Sequence, residues 1–192
     1  MKLYKSNITL FSEKDYNDAF SMMDDQRKAS VLRKKIENDR KRSILGEYLA
    51  RKGISELCDI APEEIKFDRT ENGKPFAINA DVFFSISHCN DMVVCAISKK
   101  PIGIDIEFLR DIELNVTRFA CTEKDNAFIF ETQNIDEQRK RFFKLWTAKE
   151  AFLKCYGKGI SDLKTVSFCD IEPFCKTVFE DGFYITVYEG EN

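Results

Sequence analysis

Two short stretches of the chain place charged side chains at spacings that suit phosphate and metal chemistry. In the first, PIGIDIEFL (101–109), three isoleucines alternate with Gly103, Asp105 and Glu107. Successive side chains of a β-strand point to opposite faces, so the two carboxylates share the face opposite the isoleucines. Two hard oxygen ligands with open positions left over suit Mg²⁺ that is shared with a substrate phosphate. The alternative is a solvated strand face.

The second stretch, FFKLWTAKEAFLKCYGKGI (142–160), has the apolar recurrence of an amphipathic helix, with Gly157 and Gly159 just past its end. Glu150 and Lys154 have the i, i+4 spacing that puts them one turn apart on one face. Such a pair is common on helix surfaces, where it contributes about 0.2–0.5 kcal/mol. Beside the strand, the pair could instead complete a site of three carboxylates and one ammonium group.

The elements around these stretches predict a mixed α+β fold. Turn signals and alternation predict strands over 2–10, 65–67, 76–78, 82–87, 92–98, 164–169, 176–179 and 183–188. Caps and periodicity predict helices over 12–22, 24–37, 39–52 and 122–131 and a long helix to Tyr156, with Gly53 as the stop of the third.

A short echo raises the question of a duplication. The hexapeptide KGISEL (52–57) is matched 106 positions later by KGISDL (158–163), each after an amphipathic helix. The match could arise by chance, because glycine commonly ends helices. The alternative is two similar α+β halves, and we place their boundary near Lys99-Lys100, which gives the halves 1–99 and 100–192.

Composition indicates a globular chain. The 192 residues are 43% hydrophobic and carry a net charge of −3, which disfavours a general nucleic-acid binder. Between Arg27 and Lys52, however, ten basic residues face only Glu37, Asp39 and Glu47. This basic stretch could meet an acidic partner or a phosphate-bearing ligand.

Cysteine usage and hydropathy favour a reduced, cytoplasmic protein. The seven Cys form no C-x-x-C pair, and the one His in the chain, His88, argues against a zinc site. No apolar run approaches 18 residues, and residues 1–11 have no charged-then-apolar leader. We therefore expect neither secretion nor membrane insertion.

Together the two motifs resemble the signature of the 4′-phosphopantetheinyl transferases of the surfactin-synthetase type. That signature joins a G-[IV]-D-x-E strand to a [FW]-[STC]-x-K-E-[SA]-x-x-K helix, and both stand complete here in GIDIE and WTAKEAFLK. The resemblance extends upstream to NGKPF (72–76) and FSISHCNDMVVCAIS (84–98). It implies a monomer with two similar, pseudo-twofold α+β halves and an active site in the cleft between them.

The resemblance also implies the reaction. The 4′-phosphopantetheine arm of coenzyme A (CoA) would pass to a serine of an acyl or peptidyl carrier protein in fatty-acid, polyketide or nonribosomal-peptide synthesis, and adenosine 3′,5′-bisphosphate would leave. Asp105, Glu107 and Glu150 would bind Mg²⁺, or Mn²⁺ in its place. Lys154 would offset charge on the leaving phosphate, and Glu107 or Glu150 would deprotonate the serine. The sequence does not choose between these two bases.

Residues that would contact CoA follow from the same resemblance. A lone histidine at a strand end is by default structural, but within SISH His88 matches the family's phosphate-contacting histidine. Lys74 and Ser87 match further phosphate contacts. Lys149 belongs to the helix motif, and a solvated lysine or a phosphate contact would both fit it. Trp146 is expected to pack the motif helix.

The nucleotide end of CoA is matched less closely. The resemblance implies a basic residue and a hydroxyl there, for which Arg27 and Ser43 are the nearest matches. A second lysine expected near Ser30 is missing, and Arg33, Lys34 or Arg40 could substitute.

Carrier proteins of this class are acidic helical bundles. We therefore expect them to dock on the basic stretch together with an apolar group that comprises Ile112, Leu114, Val116 and Phe119.

Two rival functions come from other classes. A non-catalytic module that binds CoA or a carrier could keep the fold, but it would have little reason to keep three carboxylates and Lys154 together. A metal-dependent nuclease or phosphodiesterase also places carboxylates on a strand. Its pattern is E-x-K, whereas Phe108 and Leu109 follow Glu107 here.

Overall fold

The computed structural model describes residues 1–191, which form two compact units of mixed α+β structure. The first unit comprises Met1–Arg69 and Pro75–Lys99, and the second comprises Thr70–Lys74 and the chain from Lys100 onward. The chain thus changes units at Lys99-Lys100, but the turn Thr70–Lys74, which was expected in the first half, belongs to the second unit. Within residues 1–191, no helix is long and apolar enough to span a membrane.

The first unit carries its long helix on an antiparallel sheet. In chain order its elements are β1 (Lys2–Asn7), α1 (Glu13–Ser21), α2 (Asp25–Leu32), α3 (Glu37–Cys58), β2 (Phe67–Arg69), β3 (Pro75–Ala77), β4 (Phe83–Cys89) and β5 (Met92–Ser98), with 3₁₀ turns at Ile8–Leu10 and Pro62–Glu64. Strand β5 lies between β1 and β4, and β2 pairs with β3 in a separate ribbon. Helix α1 begins with a capping box, in which the Asp15 N–H donates to Ser12 Oγ and the Ser12 N–H donates to the Asp15 carboxylate.

Helix α3 is longer than predicted, and its neighbour α2 is shorter. Helix α2 ends at Leu32 rather than near residue 37, and α3 runs past Gly53 to Cys58. An added Cβ on Gly53 would lie only 2.7 Å from Cε2 of Tyr4 on β1. Gly53 therefore permits close packing of α3 on the sheet, and its interpretation as a helix stop is wrong. The left-handed residue that follows the helix is Asp59, with φ 55°.

The second unit also carries one long helix on a three-stranded antiparallel sheet. Its elements are β6 (Ile102–Phe108), α4 (Thr117–Ala120), α5 (Glu123–Phe130), α6 (Ile135–Cys155), α7 (Phe168–Ile171), β7 (Cys175–Glu180) and β8 (Phe183–Glu189), with 3₁₀ turns at Leu114–Val116, Ile160–Thr165 and Glu172–Phe174. Strand β8 lies between β6 and β7. In both units, therefore, the first strand of the sheet pairs with the second strand of the hairpin that follows it in the chain.

One sequence interpretation fails in the second unit. The predicted strand over 164–169 is wrong, because this region ends a 3₁₀ turn and begins α7. The reason is a contact distant in sequence: the Phe168 N–H donates to Asp125 Oδ1 at 2.7 Å, which fixes the start of that helix. The echoed hexapeptides also differ in structure, since residues 52–57 lie inside α3 whereas residues 158–163 follow α6.

Strand β6 is covered on both faces. Its three isoleucines are at most 1% exposed, as alternation predicted for the core face. On the other face, Asp105 is only 4% exposed. A solvated strand face is thus excluded at Asp105, and the cause is the close approach of α6.

Candidate active site

Strand β6 and helix α6 bring four charged side chains together. Lys154 Nζ lies 2.6 Å from Asp105 Oδ1, so the helix and the strand meet directly at this ion pair. Glu150 lies one helical turn before Lys154, and Glu107 follows Asp105 on the same strand face. Asp105 and Glu150 are buried, whereas Glu107 and Lys154 are half-buried. These are the four residues that the two sequence motifs predicted.

Gly103 is the reason that helix and strand can approach so closely. A Cβ at this position would overlap the Ala151 carbonyl oxygen and would lie 2.6 Å from the Cys155 amide nitrogen. Both atoms belong to the helix backbone, which cannot move aside as a flexible side chain could. The helix also carries small side chains here, since Ala148 and Ala151 are both fully buried. The glycine of GIDIE therefore sets the distance between the carboxylates of β6 and α6.

Glu150 has the most perturbed environment of the four. The pKa of Glu150 is raised to about 7, chiefly by burial and also by the nearby carboxylates of Asp105 and Glu107, while Lys154 opposes the shift. Its Oε1 is buried and accepts no hydrogen bond within residues 1–191. A carboxylate in this state is stabilised by a cation placed against the free oxygen.

The donor set fits a hard divalent cation in its chemistry, although the side chains are engaged with each other. Asp105 pairs with Lys154, and Glu107 Oε2 lies 2.9 Å from Arg110 Nη1. Across the described part of the chain, no group of three or more His, Cys, Asp or Glu side chains is arranged as a metal site. A cation held by Asp105, Glu107 and Glu150 would therefore compete with these two ion pairs.

Arg110 is a site residue that the sequence interpretation missed. Its guanidinium pairs with Glu107 and lies 5.1 Å from the centre of the Phe143 ring. Arg110 follows Glu107 by three residues. In a continuous strand this spacing would put the two side chains on opposite faces, so the ion pair could be expected only if the strand were known to end at Phe108. Arg110 also borders an apolar pocket of about 160 Å³ beside Glu107, which Ile112, Val116, Phe142 and Trp146 help to line.

In the first unit, the predicted CoA contacts fall into two groups. Arg27 Nη2 donates to the Ser43 carbonyl oxygen at 3.2 Å, so these two residues lie close together. Ser87 and His88 are consecutive in β4, and their side chains therefore point to opposite faces. Ser87 is buried and His88 is exposed.

A pocket of about 200 Å³ lies next to Arg27. Its lining is mixed, and includes Glu47, Phe67, Arg69, Phe84 and Ile86. Arg27 is held at its edge by a 2.8 Å ion pair with Glu47, which also pairs with the buried Arg51. Glu47 and Arg51 were not singled out in the sequence, although their i, i+4 spacing is a recognisable signal.

The chain matches two family models. The model described as "4'-phosphopantetheinyl transferase, N-terminal" covers residues 11–100, and the "4'-phosphopantetheinyl transferase superfamily" model covers residues 101–187. The chain is 33% identical over 165 residues to 4'-phosphopantetheinyl transferase Sfp of Bacillus subtilis (strain 168), which covers 84% of this chain and 72% of that protein. The chain belongs to the 4′-phosphopantetheinyl transferase family.

Two other bacterial members of the family align over a smaller share of their length. The chain is 36% identical over 145 residues to 4'-phosphopantetheinyl transferase gsp of Aneurinibacillus migulanus, which covers 76% of this chain and 60% of that protein. It is 38% identical over 138 residues to 4'-phosphopantetheinyl transferase psf-1 of Bacillus pumilus, which covers 71% and 58%. The matched region thus spans about three fifths of these two 4′-phosphopantetheinyl transferases.

One motif lysine of this 4′-phosphopantetheinyl transferase-family chain does not have its expected environment. Lys149 is fully buried, and its Nζ lies 2.6 Å from Asp125 Oδ2 and 2.7 Å from the Ala120 carbonyl oxygen. Burial opposes ionisation of Asp125, but hydrogen bonds from Lys149 and from two backbone N–H groups hold its pKa below the usual value. Neither expectation, a solvated lysine or a phosphate contact, is compatible with this burial. Lys149 instead fastens α6 to α5.

Lys74 also differs from its expected environment. The resemblance implied a phosphate contact, but in the structure its Nζ donates to the Cys155 carbonyl oxygen at 2.7 Å and lies 3.4 Å from the Ile102 carbonyl oxygen. Burial lowers the pKa of this half-buried ammonium group. These partners are 81 and 28 residues away in sequence, so no local pattern could have indicated them.

Proposed function

We propose that this chain transfers the 4′-phosphopantetheine arm of CoA to a serine of an acyl or peptidyl carrier protein. The observation that supports it most is the convergence of Asp105, Glu150 and Lys154 where β6 meets α6, with Glu107 coupled to them electrostatically. These are the motif residues of the family to which the chain belongs. Phosphoryl transfer depends mainly on positioned charge, and this group concentrates charge of both signs.

The proposed reaction breaks one bond and makes one. The serine oxygen of the carrier attacks the β-phosphorus of CoA, and the bond from that phosphorus to the adenosine 3′,5′-bisphosphate oxygen breaks. The serine proton passes to Glu107 or Glu150. Lys154, with its ammonium group at the edge of the site, offsets the charge that develops on the leaving phosphate.

Asp105, Glu107 and Glu150 are proposed to hold Mg²⁺, or Mn²⁺ in its place. The support is chemical: the site has three hard carboxylates, and the buried Oε1 of Glu150 accepts no hydrogen bond in the described chain. When bound, the ion would neutralise charge on the pyrophosphate of CoA. Binding of the ion by Asp105 would weaken its ion pair with Lys154, whose ammonium group is proposed to turn to the leaving phosphate.

The CoA nucleotide is proposed to contact the first unit. Arg27 borders the pocket of about 200 Å³ and donates to the Ser43 carbonyl oxygen, and an aromatic ring in the pocket lining, Phe67, offers a surface for a base. His88 is exposed on β4 and suits a phosphate contact. Ser87 is buried, so its proposed contact requires the ligand to reach the other face of the strand.

The carrier protein is proposed to dock through charge and one exposed aromatic ring. Four of the ten basic residues of the basic stretch form ion pairs with its three acidic residues. The exposed positions Arg33 and Lys35 remain to attract an acidic partner. Of the apolar candidates, Phe119 is 67% exposed, whereas Ile112 and Leu114 pack partly into the core of the second unit.

A duplicated architecture is proposed on topology. The sheet orders β1-β5-β4 and β6-β8-β7 are the same when strands are counted within each three-stranded sheet. A pseudo-twofold relation and a site between the halves stay predictions, as do a monomeric state and a cytoplasmic location.

The direct test is incubation with CoA, Mg²⁺ and an apo-carrier protein, with mass spectrometry of the carrier. We expect the mass gain of one phosphopantetheine arm, its loss in EDTA, and its loss in Asp105→Asn. Asp170→Asn, at an exposed carboxylate of the same unit, is the matched control and should be active. Binding of CoA without transfer would identify a non-catalytic module, and cleavage of a phosphodiester substrate with no mass gain would identify the nuclease alternative.

A further inference from the structure

The C-terminal end of α6 is closed by a Schellman motif, a pattern of two backbone hydrogen bonds around a left-handed residue. Gly157 has φ 65° and its N–H bonds to the Lys154 carbonyl oxygen, while the Lys158 N–H bonds to the Leu153 carbonyl oxygen. The last helical carbonyl, that of Cys155, accepts its hydrogen bond from Lys74 at 2.7 Å. A cation at this position also complements the negative end of the helix dipole.

The same ammonium group reaches the strand that carries the opposing carboxylates. Lys74 Nζ lies 3.4 Å from the carbonyl oxygen of Ile102, the first residue of β6. One side chain thus joins the end of α6, which bears Glu150 and Lys154, to the start of β6, which bears Asp105. A single charged donor with two carbonyl partners on the two elements is placed to fix their separation.

The turn Thr70–Lys74 holds this side chain in place. The Thr70 N–H donates to the Lys74 carbonyl oxygen at 2.9 Å, and the Lys74 N–H donates to Thr70 Oγ1 at 3.1 Å. Asn72 Nδ2 donates to the Gly157 carbonyl oxygen at 3.0 Å, which gives the turn a second hold on the helix end. A Cβ added at Gly157 would lie 3.7 Å from Cδ of Lys74, so the stem of Lys74 runs beside this glycine.

We propose that Lys74 is a positioning residue that fixes the end of α6 to β6 and so sets the geometry of Asp105, Glu150 and Lys154. This role rests on the proposed function for its catalytic consequence and replaces the phosphate contact expected from the sequence. This role would explain why the turn Thr70–Lys74 belongs to the second unit: its lysine holds the helix that carries Glu150 and Lys154.

The test compares Lys74→Met, which keeps the stem and removes the ammonium group, with Lys158→Met, which removes an exposed lysine at the same helix end. Hydrogen exchange in the ligand-free protein is the first readout. Exchange of the amides at residues 155–158 should accelerate about tenfold in Lys74→Met, because a partly buried helix-end contact is lost. It should be unchanged in Lys158→Met.

Kinetics are the second readout. Lys74→Met should lower kcat about tenfold with less than about a twofold change in the KM for CoA, because a positioning defect affects the transition state. Lys74→Arg keeps donors for both carbonyls and should restore kcat and protection. A raised KM for CoA with unchanged exchange would overturn the proposal and restore the phosphate contact.

A second variant covers the case in which Lys74→Met does not fold, and the exchange measurement covers the case in which transfer is absent. If Lys74→Met does not fold, Asn72→Ala removes the second hold and should give the same exchange pattern more weakly; normal exchange there would overturn the proposal. If the wild-type chain shows no transfer, the proposed function fails, but the exchange comparison still decides whether Lys74 holds the helix end.

Discussion

Replacing Lys149 with methionine is the sharpest way to separate structure from catalysis in the helix motif. Methionine fills similar space but removes the ammonium group, and Asp125 is left as a carboxylate that is 0% exposed. Three donors to Asp125 remain: the N–H groups of Thr122 and Phe168, and the hydroxyl of Ser167. They satisfy hydrogen bonds but supply no positive charge.

The size of the effect follows from this burial. Breaking a buried ion pair by removing one partner costs about 3–5 kcal/mol, whereas whole domains are stable by only about 5–15 kcal/mol. Lys124→Met is the matched control, because the Lys124–Asp170 pair on the same unit has side chains that are 67% and 61% exposed. Such an exposed pair contributes about 0–1 kcal/mol. Urea unfolding of both variants measures the difference.

Acid should reduce the difference between wild type and Lys149→Met. The lowered pKa of Asp125 contributes stability above its ordinary pKa, and wild type loses that contribution as the pH falls through the folded value. In the variant, protonation of Asp125 removes a buried, unpaired charge. Adding Asp125→Asn to the variant should likewise recover part of the loss. If Lys149→Met costs less than about 1 kcal/mol and raises the KM for CoA instead, the structural role is refuted.

Other changes have equally definite outcomes. Gly103→Ala should cost about 1–3 kcal/mol or more in unfolding free energy, because its Cβ would meet the α6 backbone; denaturant unfolding no different from wild type would contradict this. In EDTA, wild-type stability should fall as the pH rises from 4.5 towards about 7, because the folded-state pKa of Glu150 is raised; Glu150→Gln should lack this fall in melting temperature. Lys154→Ala should lower kcat by more than it raises the KM for CoA, and a pure KM effect would identify ground-state binding. The KM for the carrier should rise more steeply than that for CoA up to about 0.5 M salt, since exposed charges are screened within about 8–10 Å; parallel rises would argue against docking on the basic stretch.

The local patterns predicted the elements that carry the site. Alternation in PIGIDIEFL placed a strand correctly, and the helix that follows it was predicted to end near Tyr156, one residue beyond its observed end at Cys155. Strand alternation and helix periodicity each depend on residues close together in the chain, so both can be recognised in the sequence alone. The four charged residues of the site were predicted because each lies within one of these two motifs.

What could not be predicted depends on partners distant in sequence. Gly53 was interpreted as a helix stop, but its close packing involves Tyr4, which lies 49 positions earlier. The surroundings of Lys149 depend on Asp125, 24 positions away, and those of Lys74 on Cys155. The sequence shows that a residue is glycine or lysine but not which structural role it has, and only its tertiary contacts reveal that role.

These long-range contacts have one element in common. Helix α6 is held at its middle by Lys149, against β6 by the absence of a side chain at Gly103, and at its end by Lys74. A further contact joins Thr147 Oγ1 to Thr186 Oγ1 at 2.8 Å, and Thr186 lies directly opposite Asp105 in the sheet. Charge-based catalysis tolerates little displacement of its groups. The orientation of α6 is therefore fixed from several directions, while Glu150 and Lys154 lie at the face where the proposed reaction would need charge.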